Sequence, residues 1–156
     1  MKEIRGDHLA RGRRFAIAAA RFNEVITGAL VEGTIACLRS HGVEEDDLVV
    51  AWVPGAFELP LLARRLADSG GFDAVICIGA VIRGDTPHFD HVAGQSAAGI
   101  RAASEESGVP VIFGVLTTDS VEQAMDRAGG KHGNKGWDAA MAAMETASVL
   151  EQLPKE

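Results

Sequence analysis

Tyrosine is absent from the 156 residues, and the large aromatics are six Phe and two Trp. With so few rings, any one that falls outside a core pattern carries information. The two cysteines, Cys37 and Cys77, have apolar neighbours and no CxxC pairing. That excludes a disulfide framework and a cysteine-built zinc site, and predicts two buried thiols in a cytoplasmic protein. Prolines number five, and no Pro/Ser-rich linker, low-complexity tract or internal repeat divides the chain. Residues 1–12 therefore read as a polar arm and 13–156 as a single α/β domain. No run approaches the roughly 20 apolar residues that span a bilayer. The opening MKEIRGDHLARGRRF carries charge with no apolar stretch behind it, unlike a signal peptide. Lys and Arg total 15 against 22 Asp and Glu, a net charge of −7. That balance argues against broad nucleic-acid binding, while a few local donors could still hold one phosphate.

What is present is a strand followed by a helix, four times over. RRFAIAAA (13–20), DLVVAWV (47–53), FDAVICIGAVI (72–82) and VPVIFGVLT (109–117) are apolar runs without polar alternation. Strands covered on both faces look like that, so a parallel sheet with helices on each side is expected. Helical spacing recurs in 23–42, 58–70 and 88–108, with Asn23 placed to cap the first and Gly42 to stop it. DSVEQAMDRAG opens a short helix capped by Asp119 or Ser120, glycines interrupt it, and 136–153 carries the last helix. Right-handed crossovers make this a flavodoxin-like, three-layer α/β/α fold with a four-stranded parallel sheet.

Ligands of open α/β sheets sit beyond the carboxyl ends of the strands. Four loops qualify: Arg21-Phe22-Asn23, Pro54 to Glu58, Arg83 to His88, and Thr117-Thr118-Asp119. Phe22 follows a strand but lies between polar neighbours, so it either closes the core edge or stacks on a ring. Glu58 either complements a helix dipole or accepts hydrogen bonds from a ligand. Arg83-Gly84-Asp85-Thr86-Pro87-His88 is the most informative stretch. A glycine turn running into a helix start offers main-chain amides to an anion, phosphate above all. At such a positive helix end a histidine either caps the helix or, held neutral, relays protons. His91 lies three residues on, but no further ligands follow at a metal-site spacing. AGGKHGNKG fails as a phosphate loop, since Asn134 stands where glycine is needed and Gly136 where Ser or Thr is. Arg127, Lys131 and Lys135 are nonetheless cations late in an acidic chain, and Arg127 could pair bidentately with a phosphate. The Ala- and Gly-rich 93–103 stretch suits close packing against another subunit.

RFAIAAARFNEVIT, VPGAFELP, GAVIRGDTPHFDHV, FGVLTTDSVEQAMDRAG and HGNKGWDAA, in that order, resemble the lumazine synthases of riboflavin biosynthesis over nearly the whole chain. The resemblance implies condensation of 5-amino-6-(D-ribitylamino)uracil with 3,4-dihydroxy-2-butanone 4-phosphate to 6,7-dimethyl-8-ribityllumazine. An imine forms, phosphate leaves and the ring closes with loss of water, using no metal and no organic cofactor. It further implies that Phe22 stacks on the pyrimidine, that Ala56, Phe57 and Glu58 hold the ribityl amine, and that Ala80, Val81 and Ile82 line the ring. Asp85 and Thr86 would bind the phosphate, with the Asp85 side chain turned away, and His88 would donate or relay the proton. Phe113, Arg127 and Lys135 would complete the pocket, the first two from a neighbouring subunit, with Arg127 the main phosphate counter-charge. A homo-pentamer follows from the same likeness, built into an icosahedral shell, with residues 1–12 pairing with a neighbour's sheet edge and riboflavin synthase as a further partner. The competing readings are a non-catalytic flavodoxin-like flavin-binding module, for which aromatic flanks are missing, and a shell-forming protein without activity.

Overall fold

A computed structural model describes residues 1–155. Strands β1 (Phe15–Ala20), β2 (Leu48–Val53), β3 (Ala74–Ile82) and β4 (Val111–Thr118) form one parallel sheet in the order β2-β1-β3-β4. Helices α1 (Glu24–Ser40), α2 (Leu59–Asp68), α3 (His88–Ser107), α4 (Val121–Asp126) and α5 (Lys135–Gln152) lie between and after them. The expected three-layer α/β/α fold with a four-stranded parallel sheet is what the chain adopts. Side chains alternate across each strand, so the sheet feeds two cores. Phe15, Ile17, Ala19, Ile76 and Ile78 point to the layer of α1 and α5, against Leu30, Leu38 and Met144. Ala16, Ala18, Val75 and Cys77 point to the layer of α2 and α3, against Leu59, Ala63 and Ile100. Full burial of each large aliphatic or Phe side chain contributes about 1.5–3 kcal/mol.

The expectation that every strand is covered on both faces holds for β1 and β3, which are central. It fails for the two edge strands: Val49 and Trp52 are exposed on β2, and Phe113 and Thr117 on β4. Apolar composition alone does not distinguish an edge strand from a central one, because the difference is the number of neighbours. The arm has no strand of its own. It lies along α5 of the same chain: the Asp7 amide donates to the Ser148 hydroxyl at 3.1 Å, and the Gln152 side-chain amide donates to the Arg5 carbonyl at 2.9 Å.

One local expectation is revised, and a second, the break between the last two helices, gains its structure. Asn23 adopts the left-handed conformation, with φ 64°, and makes no side-chain cap to α1. Its side-chain amide instead donates to the Ala80 carbonyl at 3.0 Å, linking the end of β1 to the end of β3. The glycines of 129–136 serve a small hairpin, β5 (Ala128–Gly130) with β6 (Gly133–Asn134), and the approach of α5 to α1. Asn134 caps α5 by accepting from the Gly136 and Trp137 amides, while its own amide donates to the Ala29 carbonyl of α1. Both cysteines are buried and unpaired, as expected. Burial pushes the Cys77 thiol up to about 12, and burial followed by the charge of Asp138 pushes Cys37 up to about 11.

Candidate active site

The carboxyl ends of the strands carry the site because parallel strands deliver all their following loops to one edge. Pairing continues past the strands there. The Arg21 and Phe22 amides donate to the Val53 and Pro54 carbonyls, both at 2.9 Å, and the Arg83 amide donates to the Thr118 carbonyl at 2.8 Å. These bonds hold the loops in register just where the sheet stops.

Between the loops lies a cleft of about 570 Å³, within the range of roughly 300–1,000 Å³ common for small-molecule sites. It brings together Phe22, Ala56, Phe57, Glu58, Ala80, Val81, Ile82, Thr86 and His88, all expected at a site. Phe22 and Phe57 are 54% and 61% exposed, which excludes a core-edge role and leaves two rings facing solvent. Gly55 makes room for the first: a Cβ there would come within 2.7 Å of the Phe22 ring. The Arg21 guanidinium lies 5.3 Å from the centroid of that ring, close enough for a cation–π contact.

At the other end of the cleft, Gly84 and Thr86 line the wall and His88 opens α3. Pro87, not His88, occupies the cap position of that helix, and no side chain caps it. The imidazole is thus exposed in the cleft wall rather than employed in ending a helix. His91 and Val92 share its face of α3, as residues three and four apart do, and both line the cleft with Phe89. These three escaped the sequence reading as cleft residues; the i+3 and i+4 spacing from His88 was the signal available for His91 and Val92, and Phe89, one residue on, had none. Among the described residues no group of three or more metal-ligating side chains comes together.

Asp85 stands on the exposed loop outside the cleft lining. Phe113, Arg127 and Lys135 also lie outside it. Phe113 pairs in register with Cys77, five residues short of the β4 end, and is 37% exposed at the sheet edge. Arg127 follows α4 and donates to the Gln123 carbonyl at 3.0 Å; Lys135 begins α5 in the opposite helical layer. The lining therefore contains a carboxylate and two imidazoles but no Lys or Arg. Arg83, the basic residue that opens the 84–88 turn, is already engaged. Its Nε donates to Asp119 Oδ1 at 2.8 Å, the main cause of its raised pKa, with Asp90 3.7 Å away.

Comparison with known proteins gives the chain a family. The family described as 6,7-dimethyl-8-ribityllumazine synthase matches residues 12–151. A protein of that name from Clostridium kluyveri (strain ATCC 8527) is 52% identical over 153 residues, covering 98% of this chain and 99% of the relative. Its counterpart in strain NBRC 12016 is similar to the same extent.

Proposed function

Because the chain belongs to the 6,7-dimethyl-8-ribityllumazine synthase family, we propose that the cleft beyond the sheet is where its two substrates are joined. The protein is a transferase of riboflavin biosynthesis that forms 6,7-dimethyl-8-ribityllumazine from 5-amino-6-(D-ribitylamino)uracil and 3,4-dihydroxy-2-butanone 4-phosphate. A non-catalytic flavin-binding or shell role is not favoured beside relatives so similar and so named.

The observation that carries the site assignment is one cleft with an exposed ring at one end and a glycine turn at a helix start at the other. The pyrimidine lies on Phe22, its ring edge against the main chain of Ala80, Val81 and Ile82. Glu58 accepts hydrogen bonds from the ribityl hydroxyls, beside Ala56 and Phe57. The phosphate of the ketone sits at the 84–88 turn, on main-chain amides and the Thr86 hydroxyl. The Asp85 carboxylate stays in solvent, as its exposed position outside the lining allows. His88 then lies between the reacting amine and carbonyl and relays the protons released as imine forms and phosphate departs. Orientation of the two reactants supplies the larger part of the acceleration, up to roughly 7–11 kcal/mol when alignment is good.

A phosphate in a cleft without Lys or Arg needs a cation from elsewhere. Arg127, Lys135 and Phe113 lie outside the lining of their own cleft, which supports their delivery by an adjoining copy of the chain. The exposed β2 edge supports the same reading, since an open strand edge invites pairing. A homo-pentamer with interfacial sites, assembled into an icosahedral shell, meets both needs, and riboflavin synthase is a further partner. Mixing the purified protein with both substrates and following lumazine fluorescence with released phosphate tests the reaction. Sedimentation of the same preparation tests the assembly, and a monomer with full activity would overturn the interfacial site.

Two substitutions separate the ends of the cleft. Arg127→Ala raises KM for the phosphorylated ketone by roughly tenfold or more, the loss of a charge-assisted contact, while KM for the pyrimidine stays put. Gly55→Ala does the reverse. Gly55 has φ −141°, a conformation any residue adopts, so the added methyl acts only by displacing the Phe22 ring. KM for the pyrimidine should rise about fivefold, the equivalent of about 1 kcal/mol of stacking. Steady-state kinetics in each substrate checks both, and a rise for the wrong substrate reverses the assignment of the two ends.

A further inference from the structure

We propose that Arg83 is a positioning residue that holds the 84–88 turn in its phosphate-binding shape without itself touching the phosphate. The proposal rests on the placement of the phosphate at that turn.

Arg83 follows the last residue of β3 and reaches two other segments. Its main-chain amide donates to the Thr118 carbonyl, and its Nε donates to Asp119 Oδ1, both at 2.8 Å. Those two bonds join it to the end of β4. The guanidinium also lies 4.4 Å over the Phe89 ring and has an Nη1 3.7 Å from Asp90 Oδ1. Those two contacts join it to the first turn of α3. The residues between these anchors, 84–87, contain no helix or strand and are exposed. A turn of that kind has many accessible shapes, and only some aim its amides at one point. Fixing both ends before the ligand arrives removes that ordering cost from binding.

The fork of the guanidinium explains the residue type. A planar group can stack on Phe89 while its edge donates to a carboxylate, whereas the compact ammonium of lysine cannot do both. Phe89 lines the cleft, so the stack transmits the position of Arg83 to the wall itself. A cation so near an anion site invites reading as a phosphate ligand, yet its Nε donates to Asp119 and its Nη1 lies beside Asp90.

The two roles predict opposite results for a change at the partner. If Arg83 were a phosphate ligand, Asp119→Ala would release it and lower KM for the phosphorylated ketone. As a strut, Arg83 loses its orientation in Asp119→Ala, and KM for the ketone rises about fivefold, the upper range for an exposed ion pair. Arg83→Ala does the same, Arg83→Lys recovers only part, and kcat changes by less than about twofold in each, as expected when only ligand binding is altered. The double variant is no worse than either single one, because the two residues act as one unit. Inhibition by inorganic phosphate weakens in parallel, while the thermal midpoint is unmoved. An unchanged ketone KM in Arg83→Ala, or a lowered one in Asp119→Ala, overturns the proposal. Thr86→Ala tests the underlying placement separately: ketone KM unchanged there moves the phosphate away from this turn, whereas a rise there with no response at Arg83 rejects the strut alone.

Discussion

His88→Ala slows lumazine formation at saturating substrates by roughly 10²–10⁴-fold, the usual contribution of one positioned proton relay, and does not abolish it. The residual rate is expected from the proposed cleft, which on that reading still holds ring and phosphate fragment side by side. His88 begins α3 without capping it, and the ring stands exposed in the cleft wall. Its removal therefore disturbs little structure, and both KM values should stay within a few-fold of the original. His91, one turn further along the same face, is the internal control for a second imidazole that could take over the relay. Measuring kcat and both KM values across pH decides the matter. A kcat within twofold of the parent enzyme would transfer the proton work to another group.

Gly136→Ala destabilises the fold by roughly 3 kcal/mol or more, above the usual range for one excess methyl in a packed site. A Cβ at 136 would lie 2.0 Å from the Leu30 carbonyl oxygen and 2.5 Å from the Thr34 hydroxyl. The first of these is backbone of α1 and cannot swing aside, so α5 must move off α1. That in turn breaks the Asn134 buckle, whose amide bonds Ala29 and whose carbonyl oxygen caps α5. For a chain of this length the thermal midpoint should fall by on the order of 10 °C. Gly28→Ala is the matched control: it lies in α1, the helix that Gly136 of α5 packs against, nothing stands within 4 Å of its added methyl, and helix propensity makes it neutral or mildly stabilising. Equal melting of the two variants would show that the helices have room to spare.

Much of the candidate site was legible in the chain because it depends on local signals. Buried parallel strands announce themselves as unbroken apolar runs, and their following loops must gather at one edge. Phe22, Glu58 and His88 could be singled out on that ground before any coordinates, while Thr86 stood out only through the family resemblance. Asn23 was misread because an Asn before a helix ordinarily caps it, and only the approach of the Ala80 carbonyl gives its amide a better partner. The glycines near 133 were compared with a phosphate loop because a glycine does not reveal whether it frees a backbone or vacates space. Arg83 was noticed as part of an anion loop, but its partners Asp119 and Asp90 sit on other elements and leave no sequence mark.

The amino-acid order by itself determined the four strands of the parallel sheet, the helices that follow them, and the loops that face a ligand, though not the small β5/β6 hairpin. Each of those follows from hydrophobic periodicity and turn chemistry within a few neighbouring residues. Tertiary structure alone decided which strands lie at the two edges, which cations are absent from the cleft, and which glycines carry a helix crossing. Those outcomes depend on distances between segments far apart in the chain, set by packing in three dimensions, to which no local pattern responds.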